Sequence, residues 1–209
     1  MGREVSLTAS EPIIWGLDVA RFGGDNSALC VRQGNTVIDI QSFQSMDLMQ
    51  LCGVIKNMYD DATVMEQPQE ILVDVIGLGS GVVDRLAEQN LPVRGVNVAE
   101  APATKKNYLN LRAELWFAIK DWLAQRDCRL PENDELASEL AAPQYKYTSS
   151  GKIKIESKDE MRKRGIKSPD KADALALTMA SSAASFSGSA SYLGYNFKKP
   201  LKSRIFRVG

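Results

Sequence analysis

IIWGLDVARFGGDNSA, the stretch from residue 13 to residue 28, decides the fold of this chain. It opens with an apolar run that predicts a buried strand, Asp18 ends that strand, and a turn rich in Gly and Asp follows. A charge at the end of a buried strand is costly unless hydrogen bonds or a cation offset it. Asp18 therefore either caps its own turn or ligates a cation such as Mg²⁺, which prefers hard oxygen ligands.

The composition is that of an ordinary globular protein. The chain has 209 residues, 44% hydrophobic and 25% charged, which suits one α/β domain with a tail. No apolar run approaches the roughly 18 residues of a membrane span. Its three cysteines are far apart, which argues against a disulfide framework or a zinc site and favours a reducing compartment. The sequence contains no histidine, so a catalytic metal would have to be held by carboxylates.

Charge is distributed unevenly along the chain, although the net charge is zero. Residues 1–143 carry 12 basic and 21 acidic side chains, whereas residues 144–171 carry nine basic and four acidic ones. Residues 185–209 carry five basic side chains and no acidic one. Such an asymmetry is typical of a surface that faces a polyanion, and a solvated basic face without a partner is the alternative.

Hydrophobic periodicity and turn residues predict an alternation of strands and helices. Three strands joined by short links predict an antiparallel meander, and the segments after it change to a helical period. The predicted elements are strands 13–19, 27–32 and 36–43, helix 48–59, strand 70–75, helix 82–89, strand 93–98, helices 110–125 and 133–140, a hairpin over 144–156, helix 158–164, and a last helix from residue 168 to about residue 184.

A second carboxylate stands near the end of the fourth strand. That strand, EILVDV, carries Asp74 and is reached from the meander through a helical crossover, so it can lie parallel to the first strand. Parallel neighbours would bring Asp74 beside Asp18 at their carboxyl ends, where open α/β sheets have their ligand sites.

The last helix supplies a third carboxylate. Its start, SPDKADA, predicts Ser168 as cap and Pro169 at the first helical position, with Asp170 and Asp173 on one face. The alanines of this helix would let it approach the sheet closely. Both aspartates could also serve only to favour the helix start, through the dipole.

The order of elements is that of a ribonuclease H-like fold, with Asp18, Asp74 and Asp173 meeting at one point. Three converging carboxylates repel each other, so we expect Asp173→Asn to relieve repulsion in metal-free buffer. Two Mg²⁺ or Mn²⁺ ions about 3.5–4 Å apart would offset this charge and catalyse phosphodiester hydrolysis. One would lower the pKa of the attacking water, and the other would stabilise the leaving 3′ oxygen.

The sequence resembles the C-terminal nuclease domain of the large terminase subunit of tailed bacteriophages over roughly residues 12–184. The matching motifs are GLDVARFGGDNS at 16–27, VDVIGLGSG at 73–81 with Asp84, and SPDKADA at 168–174. The resemblance implies an endonuclease that cuts concatemeric double-stranded viral DNA during genome packaging. It also implies that Asp18, Asp74 and Asp173 bind the metals, and that Asp25 is an accessory acidic position.

The resemblance further implies partners: the portal protein, the small terminase subunit and a packaging ATPase domain, in the cytoplasm of the infected host. The sequence contains no G-x-x-x-x-G-K-[ST] pattern, so we expect the nuclease domain alone, excised from a longer protein. We divide it into an N-terminal extension (1–11), the nuclease domain (12–184) with an auxiliary hairpin (144–156), and a basic, partly flexible tail (185–209).

Basic side chains near the hairpin and the helix after it are the predicted DNA contacts, and Asp170 is a further candidate metal ligand. The predicted DNA-binding residues are Lys105, Lys106, Lys146, Lys152, Lys154, Lys158, Arg162, Lys163, Arg164 and Lys167.

Three other interpretations fit part of the pattern. The strand, carboxylate and Gly-rich turn also open the actin, Hsp70 and sugar-kinase fold, which needs two such halves, and we find one. A junction resolvase or transposase would share the three carboxylates. The domain could also be a docking module that grips the portal or DNA and has weak nuclease activity.

Overall fold

A computed structural model of the chain describes residues 11–20 and 26–181. Three parts of the sequence-based interpretation lie outside these residues: nearly all of the N-terminal extension, the accessory Asp25, and the basic tail 185–209. Within the described residues, no helix is both long and apolar enough to cross a membrane.

A five-stranded mixed sheet forms the centre of the fold, in the order β3-β2-β1-β4-β5. β1, β2 and β3 are antiparallel neighbours, whereas β4 runs parallel to both β1 and β5. This arrangement confirms the predicted ribonuclease H-like sheet. Its strands are β1 (Ile13–Asp18), β2 (Ser27–Gln33), β3 (Thr36–Phe43), β4 (Glu70–Asp74) and β5 (Val93–Val96).

Helices cover the sheet, and a separate two-stranded hairpin follows the fourth helix. The helices are α1 (Leu48–Asp61), α2 (Gly79–Glu88), α3 (Leu111–Ala124), α4 (Asp134–Ala141), α5 (Lys158–Lys163) and α6 (Asp170–Thr178). The hairpin, predicted from its Ser-Ser-Gly turn, consists of β6 (Tyr145–Tyr147) and β7 (Ile153–Ile155).

Alternate residues of β1 point to opposite faces of the sheet, which therefore separates two hydrophobic cores. Ile14 belongs to the core shared with α3, α4 and α6. Its neighbours Ile13 and Trp15 belong to the core shared with α1 and α2. β1 is buried along its whole length, so Asp18 ends a strand that is covered on both faces.

α6 packs directly on β1 because Gly16 has no side chain. A Cβ atom added to Gly16 would lie 2.1 Å from the carbonyl oxygen of Ala174 and 3.0 Å from the methyl group of Thr178. The close approach predicted from the small residues of the last helix is present, and it depends equally on the glycine in the strand.

The start of α6 differs from the sequence prediction. The helix begins at Asp170, and Pro169 takes the cap position with ψ of 59°, so Ser168 does not cap it. A proline side chain cannot accept a hydrogen bond, and Glu139 from α4 substitutes for a cap by accepting from the backbone N–H of Ala172 at 2.9 Å. The cap therefore comes from a distant helix, which no local pattern could indicate.

The end of α6 also differs from the prediction of a helix to about residue 184. The helix ends at Thr178. The N–H groups of Met179 and Ala180 bond to carbonyls three residues back, a tightened turn that commonly closes a helix.

We expect Gly16→Ala to destabilise the protein by about 1–3 kcal/mol, the usual cost of overpacking a core, because the new methyl group meets rigid backbone. Gly53→Ala is the matched control: a Cβ there has no atom within 4 Å, and alanine favours helix α1 by up to about 1 kcal/mol. Urea unfolding of both variants measures the difference. Equal stability of Gly16→Ala and the parent protein would contradict the direct α6–β1 contact.

Candidate active site

A pocket of about 260 Å³ opens at the edge of the sheet where β1 and β4 end. Two strand-end carboxylates and one helix carboxylate face it, together with two cationic side chains. The lining residues are Asp18, Asp74, Ile76, Val98, Arg112, Leu115, Ser157, Lys158, Asp173, Ala176 and Leu177. The structure thus brings together the three aspartates that the sequence singles out.

The parallel register of two strands aligns the first two carboxylates. Leu17 of β1 pairs with Val73 of β4. The next residue of each strand is an aspartate, so Asp18 and Asp74 lie at the same edge of the sheet. The Asp74 side chain accepts a hydrogen bond from the backbone N–H of Ile76 at 3.0 Å, which fixes the carboxylate at the start of the turn. That turn needs Gly79, because an added Cβ would lie 1.7 Å from the Asp74 carbonyl oxygen.

Asp173, on the first turn of α6, is held from the side by α3. Arg112 donates to both of its carboxylate oxygens at 3.0–3.2 Å, and the Trp116 indole N–H donates to Oδ1 at 2.8 Å. The same guanidinium donates to the carbonyl oxygen of Glu156 at 2.6 Å. Asp173 is therefore strongly oriented, and its position is coupled to both α3 and the segment after the hairpin.

Lys158, the first residue of α5, brings a positive charge between the carboxylates. Its Nζ lies 2.8 Å from Asp18 Oδ2, 2.9 Å from Asp170 Oδ1 and 3.6 Å from Asp173 Oδ2. Asp170 also accepts from the backbone N–H of Asn26 at 3.2 Å, and it does not line the pocket. One ammonium group thus links three aspartates from a strand and a helix.

The two strand-end carboxylates have raised pKa values. Burial raises the pKa of Asp18 to about 7; Lys158 opposes this shift, and the charge of Asp173 adds to it. Burial also raises the pKa of Asp74 to about 6, against the hydrogen bond from Ile76. In both groups the loss of hydration outweighs the partners present, and a further cation would offset the remainder.

The pKa values of Asp173 and Lys158, in contrast, shift in the direction that favours their ionised forms. Burial tends to raise the pKa of Asp173, but Arg112 and Lys158 outweigh burial and lower it. Burial likewise opposes ionisation of Lys158, yet the neighbouring carboxylates raise its pKa above the ordinary value. The expectation that Asp173→Asn would relieve repulsion is therefore wrong, because Asp173 is paired with cations and the change would leave the half-buried guanidinium of Arg112 without its carboxylate partner.

The donor set suits a hard divalent cation, since every acidic ligand offers carboxylate oxygen. As the side chains stand in the described residues, no group of three acidic or cysteine side chains is arranged to hold one metal ion. The ammonium group of Lys158 lies between Asp18 and Asp173.

The predicted DNA-binding residues fall into two groups. Lys158 faces the pocket, and four others form ion pairs: Lys146 and Lys154 with Glu160, Arg162 with Asp159, and Arg164 with Glu156. The remaining five are wholly or partly exposed and have no ion-pair partner among the described residues. These are Lys105, Lys106, Lys152, Lys163 and Lys167.

Sequence reasoning missed Arg112 and Trp116, which orient Asp173. Both lie on α3, whose stripe of apolar residues indicated only a core helix. Arg112 lies at the start of that helix among apolar residues. A cation so close to a buried stripe is rarely without a partner, and this was the feature from which its role could have been predicted.

The order of the five strands and the helices that flank them define the class, a ribonuclease H-like fold. Solved structures with a similar fold include nuclease domains of phage large terminase subunits, as the sequence motifs suggested. That of gp2 from bacterial virus Sf6 matches with a TM-score of 0.73 and 21% identity, covering 82% of this chain and 89% of that chain.

Two further structures support the same fold. The large terminase nuclease from thermophilic phage G20c matches with a TM-score of 0.63 and 14% identity over 82% of each chain. The nuclease domain from Thermus phage P74-26 matches with a TM-score of 0.61 and 12% identity, covering 83% of this chain and 80% of that chain. The Sf6 domain is known with manganese and the G20c nuclease with bound magnesium. No protein-family model and no curated protein sequence matches the chain.

Stability in the absence of metal should depend on pH through Asp18 and Asp74. Their folded-state pKa values of about 7 and 6 exceed the value of 3.8 for a free carboxyl, so the folded protein binds protons that the unfolded chain releases. The free energy of unfolding should therefore fall as pH rises from about 4 to about 7. The pKa of Asp173 is lowered, so its effect on the free energy of unfolding falls at a pH below this range.

Asp18→Asn removes one of the titrating groups. Between about pH 5 and pH 8, the free energy of unfolding of this variant should therefore fall less than that of the parent protein, by about 1–3 kcal/mol. Urea unfolding in EDTA at both pH values gives the slope. Asp84→Asn, an exposed change on α2, should keep the parental slope. A parental slope in Asp18→Asn would contradict a raised pKa at that position.

Proposed function

We propose that this chain is the nuclease domain of a phage large terminase subunit, an endonuclease that cuts concatemeric double-stranded viral DNA during genome packaging. The observation that carries the proposal is the convergence of Asp18, Asp74 and Asp173 on one pocket. Two parallel strand ends and a helix supply them, and the nuclease domains of similar fold add support.

We propose Mg²⁺ or Mn²⁺ as the cofactor, held as two ions by Asp18, Asp74 and Asp173, with Asp25 and Asp170 as accessory ligands. Carboxylates of raised pKa at the pocket and the metals bound to the Sf6 and G20c domains support this choice. Bound metal would supply an attacking water of lowered pKa and stabilise the leaving oxygen.

The chain's own residues would prepare this site. Arg112 and Trp116 hold the Asp173 carboxylate in one orientation, as partners of metal ligands commonly do. Lys158 keeps the apo site compact by neutralising Asp18 and Asp173, and its release would provide a cation beside the scissile phosphate. Arg112 also lines the pocket, so two positive side chains would attract the phosphate backbone.

The partners follow from the same proposal. Double-stranded DNA is the substrate, and a packaging ATPase domain, the portal protein and the small terminase subunit are the proposed assembly partners. The place of action would be the cytoplasm of the infected bacterial host. DNA contacts would come first from the unpaired lysines Lys105, Lys106, Lys152, Lys163 and Lys167.

Incubation with supercoiled plasmid and Mg²⁺ or Mn²⁺ should give nicked and linear DNA. Asp74→Asn is the cleanest inactive variant, because asparagine can keep the hydrogen bond from Ile76 while losing the charge. We expect a loss of about a hundredfold or more, since removal of a residue that only orients a metal ligand already costs about 10–100-fold. Gel electrophoresis over a time course measures the rate.

Asp84→Asn, the same chemical change at an exposed position of α2, should cleave like the parent protein. Asp173→Asn should also be inactive, but its stability has to be measured beside its activity because Arg112 loses its partner. Intact plasmid with both metals at high protein concentration would exclude the nuclease and favour a module that grips DNA or the portal.

Binding to duplex DNA in EDTA should weaken with salt, with a log–log slope of about −0.9 per phosphate neutralised. Replacing Lys105, Lys106 and Lys152 by Glu should reduce this slope by about 2–3 units and weaken binding to unrelated sequences alike. Fluorescence anisotropy at several salt concentrations measures both quantities.

Arg126→Glu is the control for this experiment. It reverses one positive charge, as each of the three changes in the triple variant does, at an exposed residue just past the end of α3 and away from Arg112 at the start of that helix. Its slope should stay within about one unit of the parental value. A loss of binding confined to one DNA sequence in the triple variant would argue against contact with the backbone.

A further inference from the structure

Two tyrosines stand out on the auxiliary hairpin. Tyr145 is 55% exposed and Tyr147 is 67% exposed, although both lie in a strand. Because strand residues alternate in direction, they share one face of β6, while Lys146 and its cross-strand neighbour Lys154 lie on the other face and pair with Glu160. The same face carries Ile155, which is buried, so the hairpin packs on the core through this face while the two tyrosine rings stay largely exposed. On the opposite face, Glu160 offsets one of the two lysine charges.

The two rings end a row of four aromatic side chains that runs from the core to the surface. Tyr108, which is buried, lies 5.5 Å from Phe117, which lies 5.3 Å from Tyr145. Tyr145 lies 6.2 Å from Tyr147 in an edge-to-face arrangement. The two outer rings thus contact each other at the surface end of the row.

The hairpin leads directly into the candidate active site. Tyr145 pairs with Ile155, after which Glu156 accepts a hydrogen bond from Arg112 and Lys158 reaches Asp18. The aromatic row is thus joined to the pocket by only a few residues of backbone.

Positive side chains border the row. The loop that carries Lys105 and Lys106 is hydrogen bonded to β7, through Leu109 N–H to the Ile153 carbonyl oxygen and Ile153 N–H to the Asn107 carbonyl oxygen. Lys120 lies over the Phe117 ring, 5.2 Å from its centroid. An exposed aromatic surface with lysines at its border is complementary to a strand that carries both bases and phosphates.

We propose that Tyr145 and Tyr147 form a stacking site for unpaired DNA bases next to the cut, a subsite that rests on the proposed nuclease function. Every base has a π-face, so stacking on tyrosine would be tolerant of sequence. In a continuous duplex these faces are covered by neighbouring bases. The site would therefore engage the open strand at a cleaved or frayed end, while the lysines hold its phosphates.

A binding experiment without metal tests the site apart from cleavage. Two fluorescent probes are compared in EDTA: a blunt duplex, and the same duplex with a four-nucleotide single-stranded overhang. Tyr147→Ala should weaken binding to the overhang probe about tenfold, within the range typical for one stacked base, and change blunt-duplex binding less than twofold.

Two conservative variants identify the interaction. Tyr147→Phe keeps a ring and should bind the overhang probe like the parent protein, whereas Tyr147→Leu keeps an apolar side chain without a ring and should lose affinity like Tyr147→Ala. Because Tyr147 is mostly exposed, these variants should all fold, which circular dichroism checks. A Phe variant as weak as the Ala variant would overturn stacking in favour of a hydroxyl contact to phosphate.

Equal losses of affinity for both probes would also overturn the proposal. No loss for either probe would overturn it too and would favour a protein partner as the ligand of the tyrosines. These outcomes are independent of the plasmid assay. Intact plasmid would remove the nuclease function even if the overhang preference were present, and normal cleavage without an overhang preference would remove only the stacking site.

Discussion

The direct packing of α6 on β1 is the contact on which the candidate site depends. Gly16 lets the backbone of Ala174 approach the strand without an intervening side chain. Asp173 precedes Ala174, and Asp18 follows Gly16 by two residues, so the same contact that fills the core brings two carboxylates to one pocket. Burial of this helix also removes water from the carboxylates, which raises the pKa of Asp18.

Burial of several negative charges in a small volume would be unfavourable without compensation. Lys158 and Arg112 provide it in different ways. Lys158 shares one ammonium group among several aspartates, whereas Arg112 holds Asp173 in a fixed, forked geometry. The fixed pair suits a permanent role in orienting Asp173, whereas the shared ammonium offsets the charge of several carboxylates at once.

The hairpin and α5 connect this pocket to the surface of the protein. Glu156 binds Arg112 through its carbonyl oxygen and Arg164 through its carboxylate, so a movement of the hairpin would reach the orientation of Asp173. Ser157 caps α5 and thereby places Lys158 at the first turn of that helix.

Much of the fold could be predicted from the sequence, because strand alternation, helical periodicity and turn residues are local properties. Asp18 and Asp74 were predictable for the same reason: each ends an apolar run, and parallel strands share an edge. Asp173 was suggested by the motif around it.

Only the tertiary structure decided what surrounds these carboxylates. Arg112 and Trp116 lie 61 and 57 residues from Asp173, and Lys158 lies 140 residues from Asp18, so no periodic pattern links these groups. Their contacts arise when α3, α5 and α6 pack together, and that packing converts mutual repulsion into a set of ion pairs.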